Sequence, residues 1–217
     1  MQEQTVNLLL LSPVFLGLFV LCEWLYHRRG WQAEHTRKVA HAGAGLLSLV
    51  FPLLLQDFWV VALLCGVFLA ILVITKYTGL MRSIHAIDRE SYGSTMFPFV
   101  VCLCFWRFAQ THQLIQYYLP ILIMALADPA ACLVGKRFAS KKLYLNKTLA
   151  GSLAFFFVAA SLTLIMAFTT SLCAQVGNWL LLALYVGLGT TAAEAVSGRG
   201  LDNLTIPLTA LLVLQWI

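Results

Sequence analysis

The chain is divided into eight apolar stretches, at about 5–26, 39–55, 58–76, 94–108, 114–135, 149–170, 177–197 and 203–217, and no connection between them is long enough for a soluble domain. Several fall short of the roughly 20 residues that an upright helix needs to cross a bilayer, and the last is the least secure. Few folds survive that constraint. In hydrocarbon every backbone N–H and C=O must be paired within the chain, which leaves helices or a closed barrel, and runs this long and uninterrupted are helical. Composition agrees: 61% of the 217 residues are hydrophobic and 11% charged, against about 25% charged in soluble domains, with a mean hydropathy of +0.86. The expected fold is an all-α, multi-pass helix bundle forming one integral membrane domain over residues 1–217. It has eight transmembrane helices, or seven if the short last stretch does not span.

Charge distribution orients the bundle. Placing alternate connections on one side gathers Arg28, Arg29, Arg37, Lys38, Lys76, Arg82, Arg89, Lys136, Arg137, Lys141, Lys142, Lys147 and Arg199 there, 13 of the 14 cations. Only Arg107 falls opposite. The positive-inside rule makes the rich side cytoplasmic and puts the N-terminus on the non-cytoplasmic side. The first stretch begins MQEQ, runs into HRRG without a small-residue cleavage site, and is not a signal peptide. The six cysteines (Cys22, Cys65, Cys102, Cys104, Cys132, Cys173) form no CxxC pair and read as packing residues. The histidines show no metal spacing, and His27, His35, His85 and His112 read as solvated loop residues.

The polar residues inside these stretches fall at one depth, near the cytoplasmic end. Lys38 and His41 share a helix face in RKVAHAGAG, Asp128 lies in ALADPAACLVGKRF, and Lys147, Thr148, Gly151 and Ser152 lie in NKTLAGS. Glu194, Ser197, Asp202 and Asn203 follow in EAVSGRGLDNLTIPL. An ionisable group within a span costs at least about 2.5 kcal/mol on insertion scales and marks a functional site by default. The alternative is that each acid pairs with a nearby Lys or Arg as helix glue. Pro129 is expected to push Asp128 out of the helical region and break the helix. Asp202 or Asn203 is free to cap the last helix, with Pro207 in its first turn. The loop KRFASKKLYLNK, which includes Lys136, feeds a helix start whose free N–H groups suit a phosphate, although it is no Walker A loop.

Three acids can hold Mg²⁺, and cations with helix N-termini can hold a polyphosphate. Phosphoryl transfer needs little beyond positioning and charge neutralisation. The acceptor would be a hydroxyl presented from the lipid, with a carboxylate to take its proton.

The ordered motifs RKVAHAGAG, ALADPAACLVGKRF, NKTLAGS and E-x₂-S-x₄-DNLTIP resemble the polyprenol kinase family, which includes phytol, dolichol and CTP-dependent diacylglycerol kinases, and are most similar to phytol kinase. The resemblance covers residues 37–215. It implies a CTP-dependent kinase (another NTP in some members), with a divalent cation such as Mg²⁺, that phosphorylates a long-chain lipid alcohol. Asp128, Glu194 and Asp202 would be the catalytic and metal-binding acids. Lys38, His41, Lys136, Lys147, Thr148, Gly151, Ser152 and Asn203 would bind nucleotide. The family's glycine before the aspartate is replaced by Ala127. No nucleic-acid partner is implied, and the oligomeric state, the exact alcohol and the physiological nucleotide stay open. Two rivals share features with this assignment. A phosphatidate cytidylyltransferase would use the same cofactors, but its acid-rich C-terminal signature is missing. An ion-coupled transporter would spread its acids through the bilayer, whereas the outer half holds none apart from Asp57.

Overall fold

A computed structural model of the protein describes residues 2–87, 91–169 and 178–216. Arg89 and Cys173 therefore lie outside the described residues. All the named elements are helical, and each apolar stretch overlaps a helix, the second being divided between two. These are α1 (Gln2–Arg29), α2 (Ala33–Ser48) with the short α3 (Phe51–Leu54), α4 (Phe58–Thr78), and, after the one-turn α5 (Arg82–His85), α6 (Gly93–Thr111). A composite rod of α7 (Ile115–Leu122), a π turn (Ile123–Ala127) and α8 (Asp128–Arg137) follows, and then α9 (Leu149–Thr169), α10 (Trp179–Val196) and α11 (Asp202–Leu214).

Five of these, the first taken from Val6 and the composite rod as one, are long and apolar enough to cross a membrane. Their outward faces carry large apolar side chains, among them Leu9, Val20, Trp59, Phe168 and Leu180. A water-facing surface rarely exposes so much contiguous apolar area; lipid is the solvent that fits it.

The composite rod is the spine. Tyr117, Ile121 and Met124 pack into one core cluster with α1, α2, α4 and α6. Ile115, Leu119, Ile123, Ala127 and Ala131 pack into a second with α9, α10 and α11. Tyr117 is fully buried, and its hydroxyl donates to the Ser48 carbonyl at 2.7 Å, tying the spine to the end of α2.

The expected break at Pro129 does not occur. Asp128 keeps helical angles (φ −65°, ψ −47°), and the chain continues without interruption into α8. The π turn supplies the reason. It shifts the register just ahead of the proline, so that Pro129 falls in the first turn of a new helical segment, where a missing N–H does least harm. Pro207 also differs from expectation. The last helix starts at Asp202, so Pro207 lies in its second turn, and the N-cap position is held by Leu201 without a side-chain cap. His85 is not a free loop residue either; it is half-buried, with its ring nitrogen 3.2 Å from the Thr75 hydroxyl.

Two close approaches position the functional end of the bundle. A Cβ on Gly45 would stand 2.8 Å from the Ala125 side chain, so glycine there lets α2 lie directly on the π turn. A Cβ on Gly151 would meet the Ala131 carbonyl oxygen at 2.8 Å, so α9 crosses α8 backbone to backbone.

Candidate active site

All eleven site residues expected from the sequence line one cavity of about 480 Å³: Lys38, His41, Asp128, Lys136, Lys147, Thr148, Gly151, Ser152, Glu194, Asp202 and Asn203. Helices far apart in sequence converge there because the spine brings Asp128 between α2 on one side and α9, α10 and α11 on the other.

At its centre the Lys147 ammonium donates to the Glu194 carboxylate and stands 3.8 Å from Asp202. Glu194 is only 2% exposed. Burial alone would lower the Lys147 pKa, but the hydrogen bond to Glu194 and the negative charges of Glu194, Asp202 and Asp128 outweigh it and leave it raised. The lysine is therefore cationic at neutral pH. The acids avoid mutual repulsion by sharing this cation, so Glu194 and Asp202 show the Lys pairing of the alternative reading.

His41 depends on the π turn. In the i+5 register the amide facing the Met124 carbonyl belongs to Pro129, which has no N–H. The His41 ring hydrogen-bonds to the Met124 backbone instead, and its edge packs on Phe97 with ring centroids 5.1 Å apart. Its Nε2 is left without a hydrogen-bond partner. Ser152 Oγ and Glu194 Oε2 are likewise buried and unpartnered. An unsatisfied buried polar group costs about 1–3 kcal/mol. Three around one cavity are polar groups waiting for a ligand's atoms.

The start of α9 differs from the phosphate seat expected. Its amides are already satisfied: Leu149 N–H donates to the Lys141 carbonyl (3.0 Å), Ala150 N–H to Ser140 Oγ (3.0 Å), and Gly151 N–H to Thr148 Oγ1 (3.2 Å). Thr148 caps the helix and Gly151 packs it, which leaves Ser152 and Lys147 facing the cavity for a ligand. Asn203 is similarly engaged. Its Nδ2 donates to the Gly93 carbonyl at 2.9 Å, and the side chain is 9% exposed.

That contact is one half of a clasp between the C-terminal motif and the start of α6. Tyr92 N–H donates to the Arg199 carbonyl at 2.9 Å. Gly200 has φ +80°, and a Cβ there would sit 2.5 Å from Gly93 N. Ser197 Oγ bonds the Ala193 carbonyl and Thr205 Oγ1, joining α10 to α11. Glu34 also lines the cavity, as do two arginines missed by the sequence reading, Arg37, which donates to Ser91 Oγ at 2.8 Å, and Arg199. Both stand inside motifs already singled out, and their membership in the basic loops masked them.

Among the described residues no three His, Cys, Asp or Glu side chains converge as a metal site. Mg²⁺ is usually held by one or two carboxylates together with substrate phosphates, and Asp128 and Asp202 in the cavity wall fit that partial donor set.

No protein-family model matches the sequence, and no solved structure matches it. The chain is similar to the phytol kinase of Synechocystis sp., with 31% identity over 208 residues that cover 94% of this chain and 88% of that protein. The chain belongs to the phytol kinase family. It is a lipid alcohol kinase. The alignment spans nearly the whole helical bundle, so the cavity built by α2, the spine and α9 to α11 lies within the shared region of this phytol kinase relative.

Proposed function

We propose that the protein transfers the γ-phosphate of CTP, or another nucleoside triphosphate, to the hydroxyl of a membrane-embedded isoprenoid alcohol at the cytoplasmic face. What supports this most is the cavity in which four acids, three lysines and a histidine meet an apolar wall. Lys38 and Lys136 near the mouth and Lys147 at the centre would hold the triphosphate. Asp128 and Asp202 would hold a divalent cation, which would neutralise charge on the β- and γ-phosphate oxygens.

In the transfer, the alcohol oxygen bonds to the γ-phosphorus and the bond to the β,γ-bridging oxygen breaks. The hydroxyl proton passes to Asp128, which lines the cavity together with His41. CDP leaves. Glu194, deeply buried on Lys147, fixes that ammonium against the phosphates as a positioning residue.

The deciding experiment offers purified protein a panel of lipid alcohols with Mg²⁺ and CTP labelled at the γ-phosphate or in the cytosine. The γ-label alone is expected in the lipid phase. Cytosine label in phosphatidic acid would establish the cytidylyltransferase instead, and no transfer to any lipid would remove the kinase assignment for this cavity.

A further inference from the structure

The cavity is chemically two-ended, and its inner end has no role in holding a nucleotide. Along α2 its lining changes from Glu34, Arg37 and Lys38 through His41 to Ala44. Ten residues at 1.5 Å each carry it about 15 Å along the helix. Opposite stand Phe19 of α1, Leu72 of α4 and Phe97 of α6, with Ile84 of α5 nearer the start of α2, where the neighbouring Ser83 carbonyl accepts from Thr36. Ala40, Leu72 and Ile84 belong to one buried cluster, against which Phe19 packs. Ala44 and Phe97 belong to the neighbouring cluster. The alanines at i and i+4 leave the space that larger side chains would fill.

We infer that this inner pouch seats the first carbons of the acceptor's hydrocarbon chain, and that the rest of the chain leaves between α1 and α4 past Phe19 and stays in the bilayer. The inference rests on the lipid kinase assignment. A pouch walled by Phe, Leu, Ile and Ala repels water and charge, and takes an apolar group. About 480 Å³ is the size of a pocket for a single small ligand, so a triphosphate and a whole twenty-carbon chain cannot share it.

Phe19 stands where an exit must be. It lines the cavity, meets Phe68 of α4 edge-on at 5.9 Å, and has lipid-facing neighbours in Leu16 and Val20. A chain held this way brings its hydroxyl to His41 and Asp128. The protein then reads the carbons next to the hydroxyl and ignores the far end, so isoprenoid alcohols of different length are accepted alike. Diacylglycerol, with an ester branching next to its free hydroxyl, finds no polar partner among these walls.

The test pairs kinetics with a binding readout that needs no turnover. Wild-type protein in lipid nanodiscs is expected to show kcat/KM values within about threefold for isoprenoid alcohols of fifteen, twenty and more carbons. The variant Ala44→Leu is expected to lose at least tenfold in kcat/KM for the alcohol while the KM for nucleotide stays within twofold. Unchanged alcohol kinetics in Ala44→Leu would overturn the inference. If that variant fails to fold, Phe19→Ala decides: a changed ranking of acceptors supports the exit, and an unchanged one overturns it.

A twenty-carbon alcohol with a diazirine on the carbons next to its hydroxyl is cross-linked to wild-type protein in parallel. Label on α1 or α4 peptides supports the seat, and label confined to other helices overturns it. If the wild type phosphorylates no alcohol, the kinase assignment falls, and the cross-link still decides whether the pouch takes a lipid chain.

Discussion

A single ammonium holds the acids of this site together. Lys147 neutralises Glu194 and Asp202, and removing it strands a carboxylate in a position 2% exposed. Breaking a buried pair from one side typically costs about 3–5 kcal/mol. Lys147→Met is expected to lower stability by that order in detergent unfolding, and adding Glu194→Gln to recover most of it without restoring activity. The Lys147 pKa is raised by its acidic partners above the ordinary 10.5, so its contribution to stability is fully present below that pH and is lost only as pH rises through the folded value. Unfolding scans should therefore show no loss from Lys147 titration across neutral pH, the lysine's decline lying in strong alkali. Asp128 belongs to a different class. Asp128→Asn keeps size and shape while removing the proton acceptor, and should lower kcat by about 10²-fold or more with an unchanged melting temperature.

Helix contacts set the distances at which these residues meet. The α8–α9 crossing has no room at Gly151, where a Cβ would stand 2.8 Å from a backbone oxygen that cannot move aside. Gly151→Val is expected to destabilise by about 1–3 kcal/mol through overpacking and to reduce activity by displacing Lys147, measurable as parallel losses in melting temperature and kcat. Gly200 is bound more tightly still, since its φ of +80° and its contact with Gly93 each forbid a side chain. Gly200→Ala should open the clasp between the C-terminal motif and α6, seen as faster proteolysis between α10 and α11. The π turn acts at the same scale: it admits Pro129, and the carbonyl it leaves over becomes the partner of His41.

Across the whole molecule the cavity lies at the end of the bundle that bears the basic connections, between the two core clusters that share the spine. The charge asymmetry predicts which side of the membrane that end faces. A cysteine placed at Lys142, in a background without native cysteines, should react with impermeant thiol reagent added to the cytoplasmic side of oriented vesicles. Reaction only from the opposite side would invert the topology and separate the site from its nucleotide.

Hydropathy alone determined the all-helical class and the approximate place of the long helices, because backbone in lipid has no other way to pair its polar groups. It also pointed to Lys38, Asp128, Lys147, Glu194 and Asp202, since charge at membrane depth is too costly to be there without a partner, and these five line one cavity. What those residues do for one another was settled only in three dimensions. Lys147 and Glu194 are 47 positions apart, and Asn203 is 110 positions from Gly93. No periodicity relates such pairs. The proline was misjudged from its neighbours because the π turn that admits it, against which α2 packs closely at Gly45, has no signature in the local sequence. Thr148 and Gly151 read as phosphate ligands in sequence, yet the fold uses them to cap and pack α9. A residue's chemistry is written in its side chain, but whether its hydrogen bonds go to the protein or remain for a ligand depends on which helices lie against it.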